Sequence, residues 1–149
     1  MRTIVGRRRG RSRTHGQALV EFALVFPLLM LLLFALIDLG RVVYTHNSLA
    51  EAAREAARWG SVQARSASDI DGIEAYAVAN VAGVGAGVTA TAECIRPGEI
   101  VLPCAQNDTL EVEVETSMQL LTPFVAQLMN AAGLNPFQLS STAQVLVQN

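Results

Sequence analysis

The sequence predicts an α+β protein, with one long N-terminal helix followed by a small antiparallel three-stranded sheet and short helices. Three observations support this fold class. Residues 22–37 are apolar and uncharged, residues 42–59 are rich in helix formers and lack proline and glycine, and the C-terminal part alternates apolar and polar residues in three segments. A chain of 149 residues with a non-globular start has room for one small domain and an anchoring helix.

The first 16 residues form a basic leader. Six of the eleven arginines precede His15, whereas one acid, Glu21, precedes Asp38. A segment of this composition cannot bury apolar surface, so it is predicted to be disordered and cytoplasmic. The remaining chain has five arginines and thirteen acids, a net charge of −8, so nucleic acid is not an expected partner. The positive-inside rule predicts that the N-terminus lies inside and everything after Ile37 outside.

One continuous helix is predicted from about residue 18 to residue 59. Residues 17–37 would span about 31 Å as a helix, which matches a hydrocarbon core of about 30 Å. Pro27 removes one backbone hydrogen bond, so we expect a bend that either tunes subunit packing or is merely tolerated. Gly60 is the expected C-terminal cap. The second half also carries a narrow stripe suited to close approach of another helix, formed by Leu49, Ala52, Ala53, Ala56 and Gly60.

A short amphipathic helix is predicted after a polar linker at residues 61–68. It begins at Ser68 or Asp69 and ends at Gly83. Its apolar face contains Ile70, Ile73, Ala77 and Val81.

Period-two alternation then predicts three half-buried strands, at residues 88–94, 110–115 and 143–148. Thr122 and Pro123 are expected to begin another short helix, which Gly133 ends. That helix contains Phe124, Leu128 and Met129. The acidic row of the second strand is interpreted as a solvated face, with an acidic contact surface as the second interpretation; it contains Glu111, Glu113 and Glu115.

The two cysteines, Cys94 and Cys104, flank a short turn-rich loop beyond the apolar segment. An exported chain meets an oxidising compartment, so a local disulfide is predicted, with two free thiols as the alternative. A metal site is not expected, because the sequence has no CxxC motif and its two histidines, His15 and His46, lie in the leader and near the membrane. No cofactor is expected either.

The junction between leader and apolar run predicts a proteolytic processing site. A peptidase can hold Gly16 extended at little steric cost, and cleavage after it would make Gln17 the new N-terminus. Glu21 would then be the fifth mature residue, followed by Phe22. An acid this far into a membrane helix is unfavourable, by about 2.5–3.5 kcal/mol at the helix centre, unless it is paired. The expected partner is the Gln17 amine of a neighbouring subunit in an assembly.

Two simpler interpretations remain open for this junction. Gly16 is then only a flexible joint, and Glu21 an acid that reaches the membrane surface of an ordinary signal anchor. The arginines are alternatively part of a secretory or twin-arginine signal peptide. The second alternative is disfavoured because the residues after the apolar run, 38–41, continue as helix instead of offering a small-residue cleavage site.

Residues 16–60 closely resemble the N-terminal signature of TadE-like proteins of the tight-adherence (Flp) pilus machinery. The shared elements are Gly16-x-x-x-x-Glu21-Phe22, Pro27 inside the apolar run, Asp38-x-Gly40-Arg41, and Ala-Arg-x-Ala-Ala-Arg at residues 53–58. The outer domain is similar only in its strand order and in a Leu-Thr-Pro segment at residues 121–123.

The resemblance implies a pilin-like pseudopilin or minor pilin of the inner membrane that assists assembly of adhesive pili. Prepilin peptidase would cut between Gly16 and Gln17, and Glu21 and Pro27 would serve assembly. The expected partners are that peptidase, other Tad/Flp pilins, membrane platform proteins and lipid. The expected division is a leader at residues 1–16, the long helix at 17–60 and the outer domain at 61–149.

Two classes of function are left by the composition of the outer domain. It has no histidine or lysine and no recognisable nucleophile–base set, and the glycine-rich residues 83–87 are interpreted as a turn, so catalysis is not expected. A structural subunit is the first interpretation. A signal-anchored surface protein that binds an extracytoplasmic ligand is the alternative, because binding requires no motif.

Overall fold

The computed structural model describes residues 14–64, 66–84, 87–97, 99–101, 104–133 and 137–148. Residues 1–13 of the predicted leader lie outside these ranges, as do Gly98 and Pro103 of the predicted loop between Cys94 and Cys104. The α+β prediction is confirmed, with four strands instead of three. In chain order the elements are α1 (Thr14–Gln63), α2 (Ala67–Ala79), β1 (Val88–Arg96), β2 (Glu99–Val101), β3 (Thr109–Met118), α3 (Pro123–Ala131) and β4 (Phe137–Leu146).

Helix α1 contains 50 residues and continues through Pro27. The prediction that Gly60 caps it is wrong, because the helix ends at Gln63 and Gly60 is buried within it. A Cβ on Gly60 would lie 2.6 Å from Leu110 Cδ2 and 2.7 Å from Ile73 Cδ1. Glycine is therefore needed here for close packing of α1 against α2 and β3, not for ending the helix.

The sheet is antiparallel with strand order β2-β1-β3-β4. In the central strand, Val112 pairs with Ala92 of β1 on one side and with Ala143 of β4 on the other. All three side chains are buried, so the predicted alternation of the three longer strands is confirmed. The missed strand, β2, has three residues, which is too short to show a period of two.

The core lies between the sheet, α2 and the second half of α1. The small-residue stripe predicted on α1 is buried there, so its partner is this chain's own α2 and sheet. Strand β3 runs antiparallel to α1, since Leu110 lies beside Gly60 and the Gln119 carbonyl accepts a hydrogen bond from Arg41 Nη1 at 3.4 Å. Ten residues of strand and the helix from residue 38 to residue 60 both measure about 33 Å, so the two elements match in length.

The boundaries of α2 differ from the prediction at both ends. Ser66, in an extended conformation, is the N-cap, and Asp69 lies inside the first turn, where it accepts a hydrogen bond from the Ser66 hydroxyl at 2.8 Å. The helix ends at Ala79 because Asn80 caps it, with its side-chain amide donating to the Tyr76 carbonyl at 2.8 Å. Gly83, with a positive φ of 69°, lies in the following loop.

Helix α3 begins at Pro123, directly after Thr122, as predicted. The Ala126 amide donates to the Thr122 carbonyl at 3.0 Å, which closes the first turn. The helix ends at Ala131, and Gly133 follows with a φ of 71°. The side chains of Phe124 and Leu128 lie outside the described residues.

Cys94 and Cys104 form a disulfide, with their Cα atoms 5.6 Å apart. Both residues are buried at the end of the sheet that lies away from the apolar part of α1. Closing a loop of this size restricts the unfolded chain and contributes about 3 kcal/mol to stability. The structure thus has the predicted bridge in place of two free thiols.

Candidate functional site

The predicted processing residues, Gly16 and Gln17, lie near the N-terminal end of α1 as described, which starts at Thr14. Gly16 and Gln17 are exposed, and no heavy atom lies within 4 Å of a Cβ built on Gly16. The peptide bond between them is accessible among the described residues.

Glu21 lies one helical turn after Gln17, so their side chains share one face of α1. Glu21 is exposed and has no hydrogen bond or ion pair with another described residue. The neighbouring Phe22 is also exposed and packs only along the helix, with its ring 5.3 Å from that of Phe26. Within the described part of the chain, the Glu21 carboxylate is therefore unpaired.

The apolar first half of α1 is exposed along its length. Leu28, for example, is 76% exposed, although it belongs to the most apolar part of the chain. Soluble monomers rarely expose a continuous apolar surface of this extent. Helix α1 is long and apolar enough to cross a membrane, and no residue of its best apolar window is buried. This half of α1 is a candidate membrane anchor.

Asp38, the first charged residue after the apolar run, joins the two parts of the molecule. It is buried, and its carboxylate accepts hydrogen bonds from the Leu121 amide at 3.0 Å, the Thr122 amide at 2.9 Å and the Thr122 hydroxyl at 2.6 Å. Arg41 Nη1 lies 3.6 Å from Asp38 Oδ1, the oxygen that also accepts from the Leu121 amide. The start of α3 is thus held on α1 at the point where the apolar run ends.

The charge of Asp38 is stabilised in this position. Burial by itself would raise the pKa of the Asp38 carboxyl. The hydrogen bonds from Thr122 and Leu121, together with the Arg41 charge, outweigh burial and hold that pKa below its ordinary value. The carboxylate is therefore ionised at neutral pH and retains all of these contacts.

The sequence contained both halves of this contact without showing that they meet. Asp38 was part of the Asp38-x-Gly40-Arg41 motif, and Thr122 was predicted as a helix cap. Their separation of 84 positions means that only folding brings them together. Asp38 was not predicted as a site residue, and its position as the first acid after the apolar run is the signal that could have identified it.

A second buried acid stabilises the opposite end of the domain. Asp108 accepts two hydrogen bonds from Arg96, at 3.0 and 2.9 Å, and a third from the Ala105 amide at 2.7 Å. The hydrogen bonds from Arg96 have the largest effect on Asp108, and together with the one from the Ala105 amide they hold its pKa below the ordinary value. This cluster fixes the turn next to the disulfide and has a structural role.

Within the described ranges, no group of three or more histidine, cysteine, aspartate or glutamate side chains is placed to hold a metal ion. A half-open groove of about 460 Å³ runs between Gly40, Arg41 and Tyr44 of α1 and the end of β3. The charged side chain in its lining is Arg41, which already contacts Asp38.

The geometry defines a class of protein: a pilin-like α+β domain built on the second half of a helix whose first half is a candidate membrane anchor. Residues 16–58 match the family model described as TadE-like protein. The matched segment begins at Gly16 and includes Asp38, so this part of the chain is similar to TadE-like proteins and the resemblance seen in its motifs is confirmed. Comparisons with curated proteins and with solved structures gave no match.

Proposed function

We propose that this chain is a pseudopilin or minor pilin that assists biogenesis of a Tad (Flp, type IVc) adhesive pilus. The observation that carries the proposal is the TadE-like match over residues 16–58, which coincides with one continuous helix. A helix with an exposed apolar half and a domain packed on the other half suits a subunit that is stored in a membrane and then passed to an assembly. The match suggests association with the Tad pilus, and the subunit role is our inference.

In this proposal, prepilin peptidase cuts between Gly16 and Gln17 on the cytoplasmic side. The support is the exposure of Gly16 and Gln17 on α1, together with the arginine-rich residues before them. The helix then crosses the inner membrane once, and the disulfide-containing domain lies outside, where disulfides persist. Other Tad/Flp pilins and membrane platform proteins are the proposed partners.

Glu21 has a role in assembly under the same proposal. Cleavage creates a positive amine at Gln17, and the carboxylate has no charged partner among the described residues. In a low-dielectric environment, attraction between opposite charges is strong enough to favour pairing across staggered neighbouring helices. The cut would both remove the leader and supply the partner that Glu21 needs.

The first test is the intact mass and N-terminal peptide of the protein expressed with and without its cognate prepilin peptidase. We expect Gln17 as the new N-terminus only when the peptidase is present. Gly16→Val should block the cut, whereas Gly40→Val should not. The two variants are matched because a Cβ at either glycine meets nothing within 4 Å. A leader retained in all samples would contradict the proposal and indicate a signal-anchored surface protein instead.

The assembly role of Glu21 is tested separately by counting pili on cells that carry Glu21→Ala. We expect normal membrane insertion and processing with a large loss of pili. Glu55→Ala is the matched control, because Glu55 lies on the exposed face of the same helix and pairs with Arg58 at 3.7 Å. Normal pili in the Glu21→Ala strain would remove the amine–carboxylate pairing from the proposal. We assign no enzymatic activity to the chain.

A further inference from the structure

The C-terminal part of the chain carries no charge. Residues 116–149 contain no aspartate, glutamate, lysine, arginine or histidine, whereas residues 38–115 contain twelve acids and five arginines. Helix α3 lies inside this uncharged segment. A soluble domain of this size normally distributes charge over its whole surface, so the difference calls for an explanation based on where the segment lies.

The structure places α3 beside the last turn of the candidate membrane anchor. The Asp38 carboxylate holds the Leu121 and Thr122 amides, so α3 begins level with the first residue after the apolar run. A cavity of about 270 Å³ separates α1 from α3, and its wall includes Ala35, which belongs to the apolar run, and Met129 of α3. Ala35 lies about 4.5 Å before Asp38 along the helix axis, so α3 extends back to the depth of the anchor's final turn.

Several large apolar side chains are exposed at this level. Leu121 is 60% exposed directly beside Asp38, and Leu36, Ile37 and Leu39 of α1 are at least half exposed. The exposed residues of α3 include Gln127 and Asn130, which are polar but uncharged. The apolar surface at the end of the anchor therefore extends to Leu121, directly before α3. Seating this surface in lipid would desolvate no charge apart from Asp38, which is already fully hydrogen-bonded, and Arg41, which lies on the outer side of it.

We propose that α3, with Leu121, is a membrane-interface element that lies in the outer leaflet at the boundary between headgroups and acyl chains. Helices that rest in this layer bury an apolar face to a depth of about 5–10 Å. The occupant of this face is lipid and not a second copy of the chain, because the face is continuous with the anchor. This inference rests on the membrane anchoring in the proposed function and adds a second, outer contact with the bilayer.

One consequence concerns the orientation of the outer domain. Fixed to the bilayer both by α1 and by α3, the domain has two points of attachment and cannot swing freely about the end of the anchor. The opposite end, which holds the disulfide and the Arg96–Asp108 cluster, lies about 33 Å from Asp38 along α1, on the side away from the membrane. That end is left for contact with other subunits.

The test is depth-dependent quenching of tryptophan fluorescence by brominated phosphatidylcholine in vesicles that contain the full-length protein. The native Trp59 is first replaced by phenylalanine, which keeps an aromatic ring to stack on Tyr76, 4.9 Å away. Single tryptophans are then introduced as Leu121→Trp and Ile100→Trp. These positions are 60% and 61% exposed, so they are matched in exposure and differ only in distance from the anchor.

We expect brominated lipid to remove most of the emission of Leu121→Trp and to leave that of Ile100→Trp unchanged. Leu28→Trp, within the apolar run, reports whether the anchor is in the bilayer at all. Quenching of Leu28→Trp without quenching of Leu121→Trp would overturn the lipid contact of α3 and leave the anchor intact. A blue-shifted but unquenched Leu121→Trp that depends on protein density would assign the face to a second copy. Failure to quench Leu28→Trp would overturn the anchor itself.

Discussion

The two halves of α1 belong to one helix and have opposite surroundings. Residues 16–37 are exposed almost throughout, and none of them is buried by another described element. Residues 38–63 are covered by α2, β3 and β4, and four of the five buried apolar side chains here are alanine. Leu28 at 76% exposure and Leu49 at 0% show the contrast for a single residue type.

The contrast shows that side-chain size along α1 depends on what surrounds the helix. In the membrane that we propose for the first half, fluid lipid would fill the space around leucine and phenylalanine, so apolar bulk is sufficient there. A folded sheet is rigid and close-packed, so the second half needs small side chains that let backbones approach. Asp38 marks the change from one regime to the other, because it is the first residue of α1 whose side chain is held by the outer domain.

The largest effect is expected from Leu49→Ala, compared with Leu28→Ala. Loss of a fully buried leucine leaves a cavity, so Leu49→Ala should lower the free energy of unfolding of the outer domain by about 2–5 kcal/mol. Leu28→Ala should change it by less than about 0.5 kcal/mol. The measurement is denaturant unfolding in detergent micelles, followed by fluorescence of the half-buried Trp59. Equal effects of the two substitutions would break the division of α1 into two halves.

Asp38→Asn tests the junction. Replacing the carboxylate by an amide removes the charge. It also puts an N–H donor in place of one of the oxygens that accept from Leu121 and Thr122. We therefore expect the free energy of unfolding to fall by about 1.5–3 kcal/mol. Asp71→Asn, at an exposed position of α2, is the matched control and should change stability by less than about 0.5 kcal/mol. A wild-type unfolding curve for Asp38→Asn would mean that α3 is held by other contacts.

The junction also has a predictable pH dependence. A carboxyl whose pKa is lower in the folded than in the unfolded protein adds stability that is complete above the ordinary value of about 3.9 and is lost as the pH falls through the folded value. Both Asp38 and Asp108 have lowered pKa values, so the outer domain should lose stability below about pH 4. The measurement is the free energy of unfolding at neutral and at acid pH. The Asp38→Asn variant should lose less stability than the wild type between the two, because only the contribution of Asp108 remains.

The smallest effect is expected from Gly60→Ala, compared with Gly40→Ala. A methyl group on Gly60 meets Leu110 and Ile73, which are both fully buried, whereas one on Gly40 meets nothing within 4 Å. Overpacking is unfavourable by about 1–3 kcal/mol, and the gain in helix propensity offsets up to about 1 kcal/mol of it. Gly60→Ala should therefore destabilise the domain by about 1 kcal/mol, and Gly40→Ala should be neutral or slightly stabilising. Thermal melting of both variants in one detergent gives the comparison directly.

Local patterns predicted the elements of this fold except β2. The apolar run, the helix formers and the period-two alternation each act over fewer than about 20 residues, so α1 and the three longer strands were predicted from composition and spacing. The predicted start of β4 was wrong, because the strand begins at Phe137, six residues before the predicted Ala143. Errors occurred where a local signal served a distant contact. Gly60 has the residue type of a helix cap, yet its role is to make room for Leu110, and β2 forms only because β1 offers an edge to pair with.

The sequence by itself determined that one helix is apolar enough to span a membrane, that an arginine-rich segment precedes it, and which motifs resemble the TadE-like family. Only the tertiary structure decided which surfaces of that helix remain exposed, that Asp38 receives the start of α3, and that the uncharged C-terminal segment returns to the end of the anchor. The physical reason is the distance along the chain over which each effect acts. Hydropathy and helix propensity depend on neighbouring residues, whereas the hydrogen bonds of a buried carboxylate depend on donors that only folding brings within 3 Å.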